Sequence, residues 1–174
     1  VKASSPGKGA ILDAYRKGIR DLDFSIGYES IKKEANELPV ASPDQKLESA
    51  YDLWALSQIA GIIGNKSDEK QYKEQSEKLF EETWKTEFME ITPAYEVMKN
   101  NGLYQGTRWQ YRWAAPQYVD QMISWVGKDN LGKQLSYFFD NNLYNQGNEP
   151  DIHVPFLFNR FGKPELSQQL VRNL

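Results

Sequence analysis

Apolar residues recur at three-and-four spacing along most of this chain, a pattern that predicts one helix after another. From Ile11 to Asp23 the stripe is Ile11, Ala14, Tyr15, Gly18, Ile19 and Leu22. A second helical stretch runs from Ile26 to Glu37 and ends ahead of Pro39. Ser42-Pro43-Asp44 then reads as an N-cap with proline in the first turn, opening a helix over Lys46 to Ile63. Leu47, Ala50, Tyr51, Trp54 and Ala55 share one face of it. Gly64-Asn65 stops that helix. Ser67-Asp68-Glu69 starts another with acids in its first turn, and Tyr72, Leu79, Phe80 and Trp84 follow along it. Phe88 to Gln105 lacks a period and holds Pro93, Asn100, Asn101 and Gly102, so a long loop is expected there. Helices are expected again over Pro116 to Val126, Leu131 to Leu143, Val154 to Phe161 and Pro164 to Leu174.

No β-branched alternation bounded by turns signals a strand. Helices joined by short loops pack as antiparallel neighbours, so the chain is expected to be all-α, hairpin after hairpin. Such hairpins close as a bundle, a solenoid or an α/α toroid. No repeat of ~34 to 45 residues is present to favour the solenoid. Pattern alone leaves the closure open.

Composition narrows the function classes. At 174 residues, length argues for one domain over residues 1–174. A net charge of −3, with no clustered basic segment, argues against a nucleic-acid partner. No apolar run approaches the ~20 residues that span a bilayer. Without cysteine, disulfide and thiol chemistry are excluded, and the compartment stays open. The first residue is Val1 and the last, Leu174, falls in an expected helix, which reads as a piece of something longer. A glycine-rich phosphate loop, a histidine pair for zinc and a Ser-His-acid set are all missing.

Two segments stand out chemically: Gly102-Leu-Tyr-Gln-Gly-Thr-Arg-Trp-Gln-Tyr-Arg-Trp113 and Gly147-Asn-Glu-Pro-Asp-Ile-His-Val154. Together they set aromatics, amides and carboxylates around Gly and Pro breaks, as a polyhydroxylated ligand requires. Rings cover the apolar face of a sugar, and amides and carboxylates pair its hydroxyls. Trp109, Gln110, Tyr111 and Trp113 also have a plainer reading as core. Arg108 and Gln110 weigh against it, since a core needs partners for a guanidinium and an amide. Glu149 beside Asn148 reads either as a surface turn or as oxygen ligands for a hard cation. His153, the single histidine, reads as a packing residue. Asp52, on an apolar helix between Tyr51 and Leu53, needs a reason to be there.

Together these two segments resemble the signature segments of the family 92 glycoside hydrolases. Ile11-Leu-Asp-Ala-Tyr-Arg-Lys-Gly-Ile-Arg and Leu47-Glu-Ser-Ala-Tyr-Asp-Leu-Trp resemble two more family segments, in the right order. Pro164-Glu-Leu-Ser-Gln-Gln-Leu-Val-Arg is similar to the helix after the metal segment. The resemblance implies an exo-acting, calcium-dependent, inverting α-mannosidase acting on mannose-containing glycans. It implies part of an (α/α)6 toroid, with a β-sandwich domain and the rest of the parent chain elsewhere, in a secreted or cell-surface setting. The Asn148 carbonyl and Glu149 would hold Ca2+, helping to distort the sugar ring towards its transition state. Asp52, Trp54, Arg108, Trp109, Gln110, Tyr111, Tyr144 and Asn145 would contact substrate.

Gln105 departs from the family pattern, which has a glutamate there as general acid. An amide cannot donate that proton, and losing a general acid typically costs ~10² to 10⁴ in rate. The amide fits three cases: an inactivated α-1,2-type mannosidase, a non-catalytic mannan binder, or a substrate whose leaving group needs no proton. A phosphate monoester has a second pKa of about 6, so it leaves C1 of mannose as a stable anion without acid help. Gln105, with Tyr144-Asn145, is similar to the branch acting on mannose-1-phospho-6-mannose. Further departures are Asp52-Leu53-Trp54 for Asp-Asp-Trp and a short link from Glu37 to Lys46 that lacks a Gly-Tyr-x-Pro loop. The family's general base lies in a later segment that these residues do not contain, so the 174 residues alone are expected to be inactive.

Overall fold

A computed structural model describes residues 7–21, 23–91 and 102–174. Among them there are helices and turns and no strand. The residues fall into two compact units, Val1–Thr83 and Trp84–Leu174.

In the first unit, α1 spans Gly7–Arg16 and α2 spans Phe24–Glu34, followed by a 3-10 turn at Ala35–Glu37. The helix expected over Ile11–Asp23 thus stops early. Gly18 takes φ +88, a left-handed conformation that glycine alone adopts cheaply, and the Ile19 N–H closes onto the Ala14 carbonyl. Ile19 lies outside the helix and is exposed, while Leu22 lies outside the described residues. Asp23 then caps α2, its side chain accepting from the Ser25 and Ile26 N–H groups.

Helix α3 spans Pro43–Ile62, with Ser42 as N-cap and Pro43 in the first turn, as expected. The Ser42 hydroxyl turns to the Asp44 carboxylate instead of to the backbone. Ala55, Leu56, Ile59 and Ala60 are fully buried in the core that α3 shares with Leu12 of α1 and with Tyr28 and Ile31 of α2. Gly64 ends α3 at φ +81, and α4 follows over Lys66–Glu87. Asp68 at its start gathers Tyr28 Oη at 2.6 Å, Lys32 Nζ at 2.5 Å and Asn65 Nδ2 at 2.9 Å. One carboxylate thereby ties α2 to the first turn of α4.

In the second unit, Trp84, Phe88, Trp113, Leu131, Leu135 and Phe138 form the buried interior. A four-residue helix α5 (Arg108–Tyr111) precedes α6 (Val119–Val126) and α7 (Lys128–Asp140), a hairpin turned at Gly127 with φ +86. Of the long loop expected over Phe88–Gln105, residues 92–101 lie outside the described ones, and the flanking residues form no helix. Val154–Phe161 is helical as expected, but of the 3-10 type, and α8 (Pro164–Asn173) packs on it. The Ser167 hydroxyl seals that contact by donating to the Pro155 carbonyl at 2.7 Å. Arg112, fully buried, donates to the Met89 carbonyl and to Gln134 Oε1, and its guanidinium lies over the Trp84 ring.

Asp68 generates a pH test. Hydrogen bonds from Lys32, then Tyr28, hold its carboxyl below the usual range, so its contribution is present at neutral pH. That contribution is lost as pH falls through the depressed pKa. D68N should lower the thermal midpoint at pH 7, and the gap to wild type should narrow progressively in melts run at successively lower pH, beginning below about pH 4 where an ordinary aspartate protonates.

Candidate functional site

Two loops of the second unit carry most of the residues singled out in the sequence. The first, residues 102–107, ends at Thr107, the N-cap of α5. The Thr107 Oγ1 accepts the Gln110 N–H at 3.2 Å, and Gln110 Oε1 accepts the Thr107 N–H at 2.9 Å. This reciprocal capping box satisfies two backbone donors at the start of a very short helix. The partners that Gln110 and Arg108 needed are therefore structural. Gln110 Nε2 reaches the Leu143 carbonyl at 3.5 Å, and Arg108 holds the Glu87 carbonyl at 2.5 Å and its carboxylate at 3.0 Å.

The aromatic residues are mostly enclosed. Trp109 is 6% exposed, its ring stacked on Tyr137 at 5.3 Å and near Phe138 at 6.4 Å. Tyr111 is buried, and its hydroxyl donates to the Tyr104 carbonyl at 2.7 Å. Tyr144 is half-buried against Phe139 at 5.2 Å, and burial raises its phenol. Gln105, by contrast, is exposed and has φ +53, a left-handed conformation costing a non-glycine residue about 1–3 kcal/mol. Gly106 follows it. A Cβ on Gly106 would fall 2.5 Å from Tyr111 Cε2 and 3.0 Å from Asn148 Nδ2. Only glycine fits between that ring and the second loop.

The second loop, residues 143–151, is pinned to the first by Asn148, whose Nδ2 donates to the Gln105 carbonyl at 3.4 Å. Asn148 is buried, whereas Asn145 and Glu149 are exposed. The Asn148 carbonyl accepts the Asp151 N–H at 3.0 Å, which leaves one of its two lone pairs for a cation. With the Glu149 carboxylate it makes an adjacent all-oxygen donor pair, the chemistry a hard cation takes. These residues fit calcium, with further oxygens needed to fill its shell. Among the described residues, no cluster of three or more His, Cys, Asp and Glu side chains forms a metal site.

Asp151 was missed in the sequence as a site residue. It is fully buried, and Oδ2 accepts the Asn145 N–H at 2.9 Å. Oδ1 has no well-formed hydrogen bond among the described residues. Burial pushes its carboxyl up to about 7, against the pull of the Asn145 N–H and the nearby Gln110 amide. His153 donates Nε2–H to the Trp113 carbonyl at 2.7 Å, because a carbonyl only accepts. Burial lowers its pKa, and it is the packing residue expected.

In the first unit, Asp52 is buried on α3 and meets Lys8 Nζ at 3.2 Å. Burial raises its carboxyl and Lys8 pulls it back. Lys8 is itself 1% exposed and also reaches Glu34 at 3.2 Å, which gives the carboxylate on an apolar helix its reason. Trp54 is half-buried, tilted on Tyr51 at 5.5 Å, with the Arg16 guanidinium 5.2 Å from its ring centre.

The sequence pattern of the glycosyl hydrolase family 92 catalytic domain matches residues 41–174, which include both loops and α3. The chain belongs to this family. It is also similar to a solved structure of the GH92 family glycosyl hydrolase CcMan5, with a TM-score of 0.76 at 22% identity. That likeness covers 98% of this chain and 27% of the CcMan5 chain, so the present residues span about a quarter of that protein. At this identity the likeness shows the fold alone, which is the all-α helical-hairpin class expected of an (α/α)6 toroid. No curated protein matches.

Within the family 92 chain, the structure brings Gln105, Arg108, Trp109, Gln110, Tyr111, Tyr144, Asn145, Asn148 and Glu149 into one pair of pinned loops. Only Gln105, Asn145 and Glu149 of these are exposed. Thr107 was legible as half of a Thr-x-x-Gln capping box, and Asp151 was visible only as a carboxylate after a proline. Gly106→Ala should destabilise the protein by about 1–3 kcal/mol in urea unfolding, through overpacking against the Tyr111 ring. Unchanged stability would mean that the two loops are not held this closely.

Proposed function

We propose that the protein removes terminal α-linked mannose by inverting hydrolysis with calcium, from mannose-1-phospho-6-mannose linkages. The family supports a glycoside hydrolase of glycans. The observation that carries the finer reading is Gln105, an exposed amide set by a left-handed backbone beside the Glu149 loop. Gln105 orients the leaving oxygen by donating a hydrogen bond from its amide. It has no proton to give, and a phosphate leaving group needs none. Asn148, through its carbonyl, and Glu149 would hold the ion. Calcium, when bound, supplies electrostatic hold on sugar hydroxyls. Asn145 and Tyr144 flank the same loop and contribute contacts to the sugar or its phosphate. The setting is secreted or cell-surface, where such glycans are met.

The same amide favours a second reading, a non-catalytic mannan binder. In that case, the enclosed Trp109 and Tyr111 rings support the loop instead of offering sugar a platform.

Mannose release by the full-length protein decides between them. The expected outcome is cleavage of mannose-1-phospho-6-mannose, abolished by chelation, with α-1,2-mannobiose slower by at least ~10²-fold, and Q105E should recover part of that deficit. Preference for the disaccharide sinks the reading of Gln105. Binding of both without turnover, and turnover only in Q105E, selects the binder.

A further inference from the structure

Asp151 is the fully buried ionisable group of the two loops, and its hydrogen bonds form a closed circuit. Its Oδ2 accepts the Asn145 N–H at 2.9 Å. The Asn145 carbonyl accepts the Asn148 N–H at 3.1 Å, and the Asn148 carbonyl accepts the Asp151 N–H at 3.0 Å. The two backbone bonds alone are successive turns that open independently. The side-chain bond from Asp151 back to Asn145 joins their ends and makes one ring of residues 145–151. Glu149 and the Asn148 carbonyl lie inside that ring; Asn145, Gln146, Gly147 and Glu149 are exposed, while Asn148 is held also by its amide on the Gln105 carbonyl.

We propose that Asp151 is a positioning residue for the cation site, acting as a hydrogen-bond acceptor that locks the 145–151 turn and with it the Asn148 carbonyl and Glu149. This rests on the proposed calcium reading of those two residues. What Asp151 contributes is an acceptor at Oδ2, and an asparagine at 151 supplies one in the same place. Groups that orient metal ligands without touching the metal typically matter ~10–100-fold in metal affinity.

The test is calcium affinity of the full-length protein by isothermal titration calorimetry, with mannoside kinetics alongside. D151A should weaken calcium ~10–100-fold, while D151N should stay within about threefold of wild type. N145P deletes the same bond from its donor end and should weaken calcium well beyond N145A, which keeps that N–H and loses only the side-chain oxygen that accepts the Gly147 N–H at 3.0 Å. D151N as weak as D151A would make the charge the essential element, and would overturn the positioning role in favour of direct ligation. Wild-type affinity in both D151A and N145P would also overturn it. Should D151A fail to fold by circular dichroism, the N145P and N145A pair decides alone. A wild-type protein that takes no calcium overturns the metal reading of Asn148 and Glu149 itself, a failure visible before any variant is measured.

Discussion

The geometry of the candidate site depends on one close approach, between Gly106 on the first loop and the Tyr111 ring and Asn148 amide. With a hydrogen atom in place of a side chain, the backbone at 106 comes near enough for Asn148 to reach the Gln105 carbonyl. That contact fixes two things at once. It sets Gln105 in a left-handed conformation that a glutamine would not choose unaided, and it sets how far the Glu149 loop sits from the Gln105 side chain. Strain of this kind persists only where the surroundings over-determine the backbone. Here they do, through the Thr107–Gln110 capping box on one side and the Asp151 ring of hydrogen bonds on the other.

Much of the fold was legible because its signals are local. Ser42-Pro43 and Gly64 bound α3 within a residue or two, since a cap, a proline and a left-handed glycine act on their own backbone. The end of α1 was misread for a related reason. The apolar stripe runs on through Ile19 and Leu22, so its period predicts helix across a glycine in mid-pattern. The glycine decides the end, because Gly18 takes a left-handed conformation that stops the helix, and Ile19 beyond it is exposed. Partners distant in sequence left no trace. Lys8 lies 44 residues from Asp52, and no spacing rule connects them.

The site was legible in kind and less so in detail. Amides, rings and a carboxylate around backbone breaks did mark the loops. The roles then divided in a way composition does not report: Gln110, Arg108 and Trp109 hold the loops, and Gln105, Asn145 and Glu149 are presented by them. A buried polar residue must be paired, and its partner consumes the hydrogen-bonding capacity that a ligand would use. Gln110 is the clear case, with its oxygen on Thr107 and its nitrogen near Leu143. Exposure, not residue type, separates the two groups.

That division bears on the chemistry at position 105. A general acid must keep its proton at working pH, which for a carboxyl means burial or a neighbouring negative charge strong enough to raise its pKa well above about 4.3. Position 105 is open to solvent among the described residues, and the buried carboxyl nearby in the loops, Asp151, is the one pushed upward instead. On the proposed reading, glutamine at 105 keeps a donor for the phosphate oxygens and gives up only a proton that a phosphate leaving group does not need. An amide has no proton to give, so it fits the proposed phosphodiester substrate and does not fit an alkoxide that must be protonated as it leaves.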